Sequence, residues 1–198
     1  MNNYDYRVNL VDDYLKKLNL SNEIKKYYSG RNILVTGGAG AIGSNLVTTL
    51  SKLVGNDGMI IVLDNLSAIK GDEPIDLPPL SNMMFVNGDI RNDIDLKRVF
   101  REKPTIVYHL AAFFANQNSV DYPETSADVD IHGMIKLLDL AQFTGVDKFV
   151  YASSGCAIYG SYGEMPLKED FISLHLTTPY QVNKMAGEMY SNFYFHHY

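Results

Sequence analysis

The feature that most constrains this chain is an apolar run, Asn32–Thr36, that passes straight into Gly37-Gly38-Ala39-Gly40-Ala41-Ile42-Gly43 and on into a stretch with helical periodicity, Ile42–Val54. Each glycine has a mechanical meaning in that context. Gly37 permits a tight turn, Gly40 lets the backbone approach a pyrophosphate, and Gly43 lets the new helix pack closely on its strand. The first amides of the helix, with Ala41 and Ile42 among them, are then aimed at an anion, and the helix dipole adds to the attraction.

A second apolar run, Met59–Leu63, ends in Asp64-Asn65, 21 residues beyond Gly43. A carboxylate placed there accepts from ribose hydroxyls and repels a 2′-phosphate, so the expected dinucleotide is NAD rather than NADP. From Arg31 onward, strands are expected near 31–36, 59–63, 83–87, 105–109 and 148–152. Helices at Ile42–Val54, Asp93–Arg101, Ala127–Phe143 and Pro179–Phe195 alternate with them. This is the pattern of an α/β, doubly wound parallel sheet of Rossmann type with helices on both faces. Gly71–Pro79, acidic and Pro-rich, reads as a loop. Residues 1–29 read as a helical extension preceding a dinucleotide-binding unit over 30–198: Val11, Leu15 and Leu18 recur at helical spacing, and Ser21 is placed to cap a helix over Asn22–Tyr28 that closes at Gly30.

Near the other end, Tyr180 and Lys184 stand four apart in TPYQVNKMAGE. On a helix that spacing puts both side chains on one face, about 5–6 Å apart at Cβ. Bringing a phenol from about 10 to about 7 requires about 4 kcal/mol, which a neighbouring ammonium in a partly desolvated site can supply.

Composition narrows the class of function. A formal net charge of -6 and a sequence pI near 5.3 argue against a nucleic-acid partner. The single cysteine, Cys156, forms no internal disulfide and fits a reducing cytoplasm, and no cysteine or histidine cluster has zinc-like spacing, so no metal is expected. His109 ends an apolar strand and reads as a core histidine. The start, MNNYDYRVNL, lacks the pattern of a leader peptide, and no apolar run is long enough for a membrane span.

Taken together, TGGAGAIGSNL, VLDNLS, GDIRN, YHLAA, VYASSGCAIYG and PYQVNK resemble the extended short-chain dehydrogenase/reductase family, in its NAD-dependent nucleotide-sugar epimerase/dehydratase branch. The resemblance covers roughly residues 31–198. It implies a held NAD that takes a hydride from a sugar carbon and returns it while Tyr180 moves the hydroxyl proton and Lys184 holds the nicotinamide ribose. It also implies Asp89 and Ile90 on the adenine side, Leu110, Ala111 and Ala112 beside the cofactor, and Asn118 and Ser119 lining a sugar pocket. A Ser or Thr is to hydrogen-bond the sugar oxygen. Counting forward from the strand gives Ser154, whereas counting back from Tyr159 gives Gly155, with Cys156 as a substitute; Ser154 is preferred because the strand is the rigid reference. Asp130 stands where the family has an asparagine, which fits either a tolerated substitution or an altered nicotinamide pocket.

No Asp-Glu pair follows Ser154, which disfavours dehydration, so a UDP-glucose 4-epimerase-like isomerase is the first reading. The resemblance further implies a C-terminal substrate lobe not included in this sequence, and a homodimer formed through 127–143 and 179–195. The alternatives are an NAD-binding or oligomerisation module without turnover, or a nucleotide-sugar dehydratase or reductase.

Overall fold

In the computed structural model, which describes residues 3–68, 75, 77–114, 116–155, 166–168 and 171–198, alternation along the first strand decides the architecture. β1 (Asn32–Thr36) sends Ile33 and Val35 into one apolar cluster and Leu34 into another on the opposite side. β2 (Met59–Asp64), β3 (Met83–Asn87), β4 (Ile106–His109) and β5 (Lys148–Tyr151) join it in the order β3-β2-β1-β4-β5, every neighbouring pair parallel. The strands lie within a residue of their expected bounds.

Parallel neighbours require crossovers, and the crossover helices cover both faces. The extension contributes α1 (Asn3–Leu18) and α2 (Asn22–Tyr28). α3 (Ala41–Val54) lays Val47, Leu50 and Val54 on Ile33, Val35, Ile60 and Val62. α4 (Asp93–Phe100) brings Leu96, Val99 and Phe100 to the other face, over Leu34, Ile61 and Val86. Strand order reverses between β1 and β4, which opens a crevice at their carboxyl ends.

Beyond β4 the structure departs from the expected pattern. A short helix not foreseen, α5 (Asn116–Asp121), is followed by α6 (Pro123–Ala127), a π-helical turn (Asp128–Gly133) and α7 (Met134–Thr144). The single helix expected over Ala127–Phe143 therefore starts earlier, at a proline suited to a first turn, and widens in its middle. The last helix, α8 (Pro179–His197), is set by a reciprocal cap: the Thr178 hydroxyl accepts from the Gln181 amide, and the Gln181 side chain accepts from the Thr178 amide.

The extension packs on α3. The Ser21 hydroxyl accepts from the Ile24 amide at 3.3 Å, as expected, and Gly30 takes a left-handed φ of +71° one residue past the cap at Ser29. A 2.7 Å hydrogen bond between the Tyr28 and Tyr108 hydroxyls ties α2 to β4. Part of the Gly71–Pro79 loop, and Cys156, lie outside the described residues.

Where β1 and β4 end, Thr36 Oγ1 meets His109 Nδ1 at 2.7 Å. Burial, and then the charge of Lys184, bring the His109 pKa down to about 3, so the ring is neutral. A base depressed by folding stabilises fully above its unfolded pKa of about 6.5, and that contribution is lost as pH falls from there toward 3. Urea midpoints are expected to show the parent losing stability between pH 6.5 and 5 by up to about 1.4 kcal/mol per pH unit from this residue. The His109→Gln variant should lack that share, its deficit relative to the parent narrowing as pH falls. A constant deficit from pH 7 to 5 would remove His109 from the acid sensitivity.

Candidate active site

The glycine turn after β1 is shaped by close approaches. Gly37 takes a left-handed φ of +70°, and a Cβ there would lie 2.6 Å from the Ala111 amide nitrogen, so the Leu110–Ala111 backbone runs directly against the turn. A Cβ at Gly43 would lie 2.2 Å from the Gly37 carbonyl oxygen, which makes glycine the side chain that lets α3 start here. Gly38, which the spacing argument passed over, is similarly confined by Val62 at 2.7 Å. Gly40 differs: its Cβ would meet protein only at 3.4 Å, so the fold does not demand glycine there and the space is free for a ligand. As N-cap of α3, Gly40 offers no side-chain acceptor to the first-turn amides of Ala41, Ile42 and Gly43. That cradle fits a dinucleotide pyrophosphate.

Asp64 ends β2 beside this turn, as expected, but its carboxylate also has structural work. Oδ2 accepts from the Ala39 amide at 2.9 Å, and Oδ1 accepts from the Leu66 amide at 2.8 Å. It therefore fixes the glycine turn, a structural duty that spacing could not reveal.

At the next strand end, Asn65 donates to Asp89, which Arg91 grips through Nε at 3.0 Å and Nη2 at 2.8 Å. The Arg91 hydrogen bonds hold the Asp89 pKa down to about 2. Arg91 also reaches Asp128 at 3.2 Å. Ile90 is buried against Gly133, where a Cβ would lie 2.8 Å from Ile90 Cδ1.

On the far side of the crevice, α8 carries Tyr180 and Lys184 on one face. Lys184 is 3% exposed, and its ammonium donates to the Ala152 carbonyl at 2.7 Å. The ammonium lies 4.8 Å from the Tyr151 ring centroid and 5.8 Å from that of Tyr180. Burial lowers the Lys184 pKa, and Asp130 opposes the shift. The helix can lie this close because position 187 is glycine: a Cβ there would overlap the Tyr151 hydroxyl at 2.3 Å.

The first turn of α8 is held by Ser119, which is fully buried. Its hydroxyl accepts from the Tyr180 amide at 3.0 Å and donates to the Asn116 carbonyl at 2.6 Å. Ser119, expected to line a sugar pocket, thus serves as an anchor for the helix, while the Asn118 side chain donates to the Phe114 carbonyl. Ser154 is half-buried, two residues beyond the carbonyl that holds Lys184, and the neighbouring Ser153 hydroxyl is buried without a hydrogen-bond partner. Among the described residues, no group of three or more side chains is arranged to hold a metal ion, and no helix is long and apolar enough to cross a membrane.

A family profile described as the NAD dependent epimerase/dehydratase family matches residues 33–198. The chain belongs to that family. The UDP-glucose 4-epimerase of Mycolicibacterium smegmatis is 37% identical over 162 residues, covering 81% of this chain and 50% of the relative. The epimerase Mth375 of Methanothermobacter thermautotrophicus superposes with a TM-score of 0.82 at 48% identity, over 89% of this chain and 51% of that one. The UDP-glucose 4-epimerase of Thermus thermophilus, solved in complex with NAD, does so with a TM-score of 0.68 at 36% identity, over 82% and 50% of the two chains. The chain spans about half the length of the curated relatives it matches. NAD is the cofactor of this family, and the turn described above has the donor set to hold its pyrophosphate.

The two kinds of glycine make separable predictions. Gly43→Ala should destabilise the chain by about 1–3 kcal/mol through overpacking and weaken NAD binding with it. Gly40→Ala should leave stability within about 1 kcal/mol and weaken NAD binding alone, at least tenfold. Denaturant midpoints and NAD titration check both, and an unchanged affinity in Gly40→Ala would place the pyrophosphate elsewhere.

Proposed function

We propose that this chain carries the NAD-binding and proton-transfer half of a nucleotide-sugar 4-epimerase acting on a UDP-sugar. The observation that carries the reading is the buried Lys184 ammonium, set against Tyr180 on one helix face at the carboxyl ends of the strands. NAD, when bound, supplies the hydride acceptor and returns the hydride to the same carbon. Tyr180 takes the proton of the sugar hydroxyl as that carbon is oxidised and gives it back on reduction. Lys184 favours the phenolate by its charge and donates to the nicotinamide ribose. Ser154, three residues beyond the end of β5, hydrogen-bonds the sugar oxygen as it becomes a carbonyl. Asp64 receives the adenosine ribose hydroxyls on the lone pairs that Ala39 and Leu66 leave open, with Asp89 and Ile90 on the adenine side. The glycine turn and Leu110–Ala112 line the cofactor between them.

Solved relatives support the substrate class. The Thermotoga maritima UDP-glucose 4-epimerase was crystallised with UDP-glucose, and a Methanobrevibacter ruminantium UDP-N-acetylglucosamine 4-epimerase with UDP-N-acetylmuramic acid. The exposed apolar side chains of α7 and α8, Phe143, Val182, Met189 and Phe193 among them, suit a homodimer through these helices. Residues 1–29 serve as an extension to the NAD-binding unit of 30–198. A second reading is an NAD-binding or oligomerisation module without turnover, for which the glycine turn and the exposed apolar side chains of α7 and α8 would be sufficient.

Purifying the chain, quantifying bound NAD and assaying UDP-sugar interconversion separates the two, since bound NAD without turnover supports the module. In a preparation that turns over, Tyr180→Phe should lower kcat by a factor of about 10² or more with NAD still bound. Unaltered turnover would remove Tyr180 from proton transfer. Asp64→Ala should erode the preference for NAD over NADP, and an unchanged preference would count against its ribose role.

A further inference from the structure

Asp130 takes part in none of these steps, although it is a carboxyl group only 3% exposed in the π-helical turn. Three segments send donors to it. The Phe113 amide, from the loop that leaves β4, donates to Oδ1 at 2.7 Å. The Ser126 hydroxyl at the end of α6 donates to Oδ2 at 3.1 Å, and the Asn183 side-chain amide of α8 donates to the same oxygen at 3.4 Å. Asn183 also donates to Ser126 Oγ at 2.9 Å, which leaves the serine proton directed at the carboxylate. Converging donors suit an ionised carboxylate, which only accepts; an asparagine would turn an NH2 group toward one of them.

The residue after Asn183 is Lys184, and among the described residues the carboxylate that acts on its charge is that of Asp130. Tyr151 of β5 and Tyr180 of α8 present ring faces, and His109 of β4 is neutral. Glu188, one turn further along α8, acts on Tyr151, whereas the carboxylate whose field acts on Lys184 is Asp130. Lys184 Nζ donates to the Ala152 carbonyl while the Asp130 oxygens accept from Phe113, Ser126 and Asn183, so the two charges act on each other through space.

We propose that Asp130 is a positioning residue for the Tyr180–Lys184 pair: its ionised carboxylate is the counter-charge of the buried ammonium and, through Asn183 and Phe113, fixes the helix carrying that pair against the loop that leaves β4. The inference rests on the reading of Tyr180 and Lys184 as the proton-transfer pair. Burial alone disfavours both charges, pushing Asp130 up and Lys184 down, and each charge offsets that tendency in the other.

The test is an NMR titration of the full chain labelled with ¹³C-lysine, in which Lys184→Arg assigns the Lys184 signal. Asp130→Asn should lower the Lys184 pKa by at least about one unit, tenfold in proton affinity. The exchange variant, Asp130→Asn with Asn183→Asp, returns a carboxylate one hydrogen bond away and should restore most of that loss. An unmoved Lys184 pKa in Asp130→Asn overturns the proposal, as does a drop that the exchange leaves in place, since that would mark packing alone. Should Asp130→Asn fail to fold, ¹³C-aspartate labelling of the parent decides: Asp130 ionised at pH 7 supports the proposal, and Asp130 protonated at pH 7 overturns it. Neither readout needs substrate, so turnover judges the epimerase reading and these titrations judge this one.

Discussion

Keeping an ammonium out of water is the constraint around which the carboxyl end of this sheet is arranged. An isolated buried charge would be discharged, so the chain gives Lys184 a carbonyl from Ala152, the ring faces of Tyr151 and Tyr180, and the field of Asp130. Much of the local sequence follows from that need. Gly187 exists to let Tyr151 lie against α8, Ser119 pins the Tyr180 amide, and the Thr178–Gln181 cap fixes where the helix begins.

The opposite side of the crevice solves a complementary problem with backbone rather than side chains. An anion there is met by amides that the helix leaves unpaired, so what the turn must supply is clearance, and glycine supplies it. Rigidity comes from the flanks: Ala111 presses on Gly37, Asp64 holds Ala39, and the Arg91–Asp89–Asn65 set braces the neighbouring strand ends.

What could be read in the sequence was local. Strands made of β-branched residues, the glycine turn and the Ser21 cap all depend on neighbours a few residues away, and they stand where periodicity and capping chemistry put them. What escaped was long-range or aperiodic. α5 is a six-residue helix of mostly polar residues, and the π-helical turn has no signature in spacing. Ser119 acquires its role from a bond across 61 positions, and Asp130 from one across 53. Asp130 stood out only as an unexpected residue type, and its neighbours give it meaning.

The bond from Asp64 to Ala39 bears on any attempt to redesign this turn. Coenzyme preference is commonly altered by replacing the acid at the end of the second strand, on the view that it is a free recognition element. Here the same carboxylate is a structural tie, so removing it loosens the loop whose shape any replacement coenzyme would also need. A successful redesign would have to restore an acceptor for the Ala39 amide from elsewhere before it could profit from the new specificity.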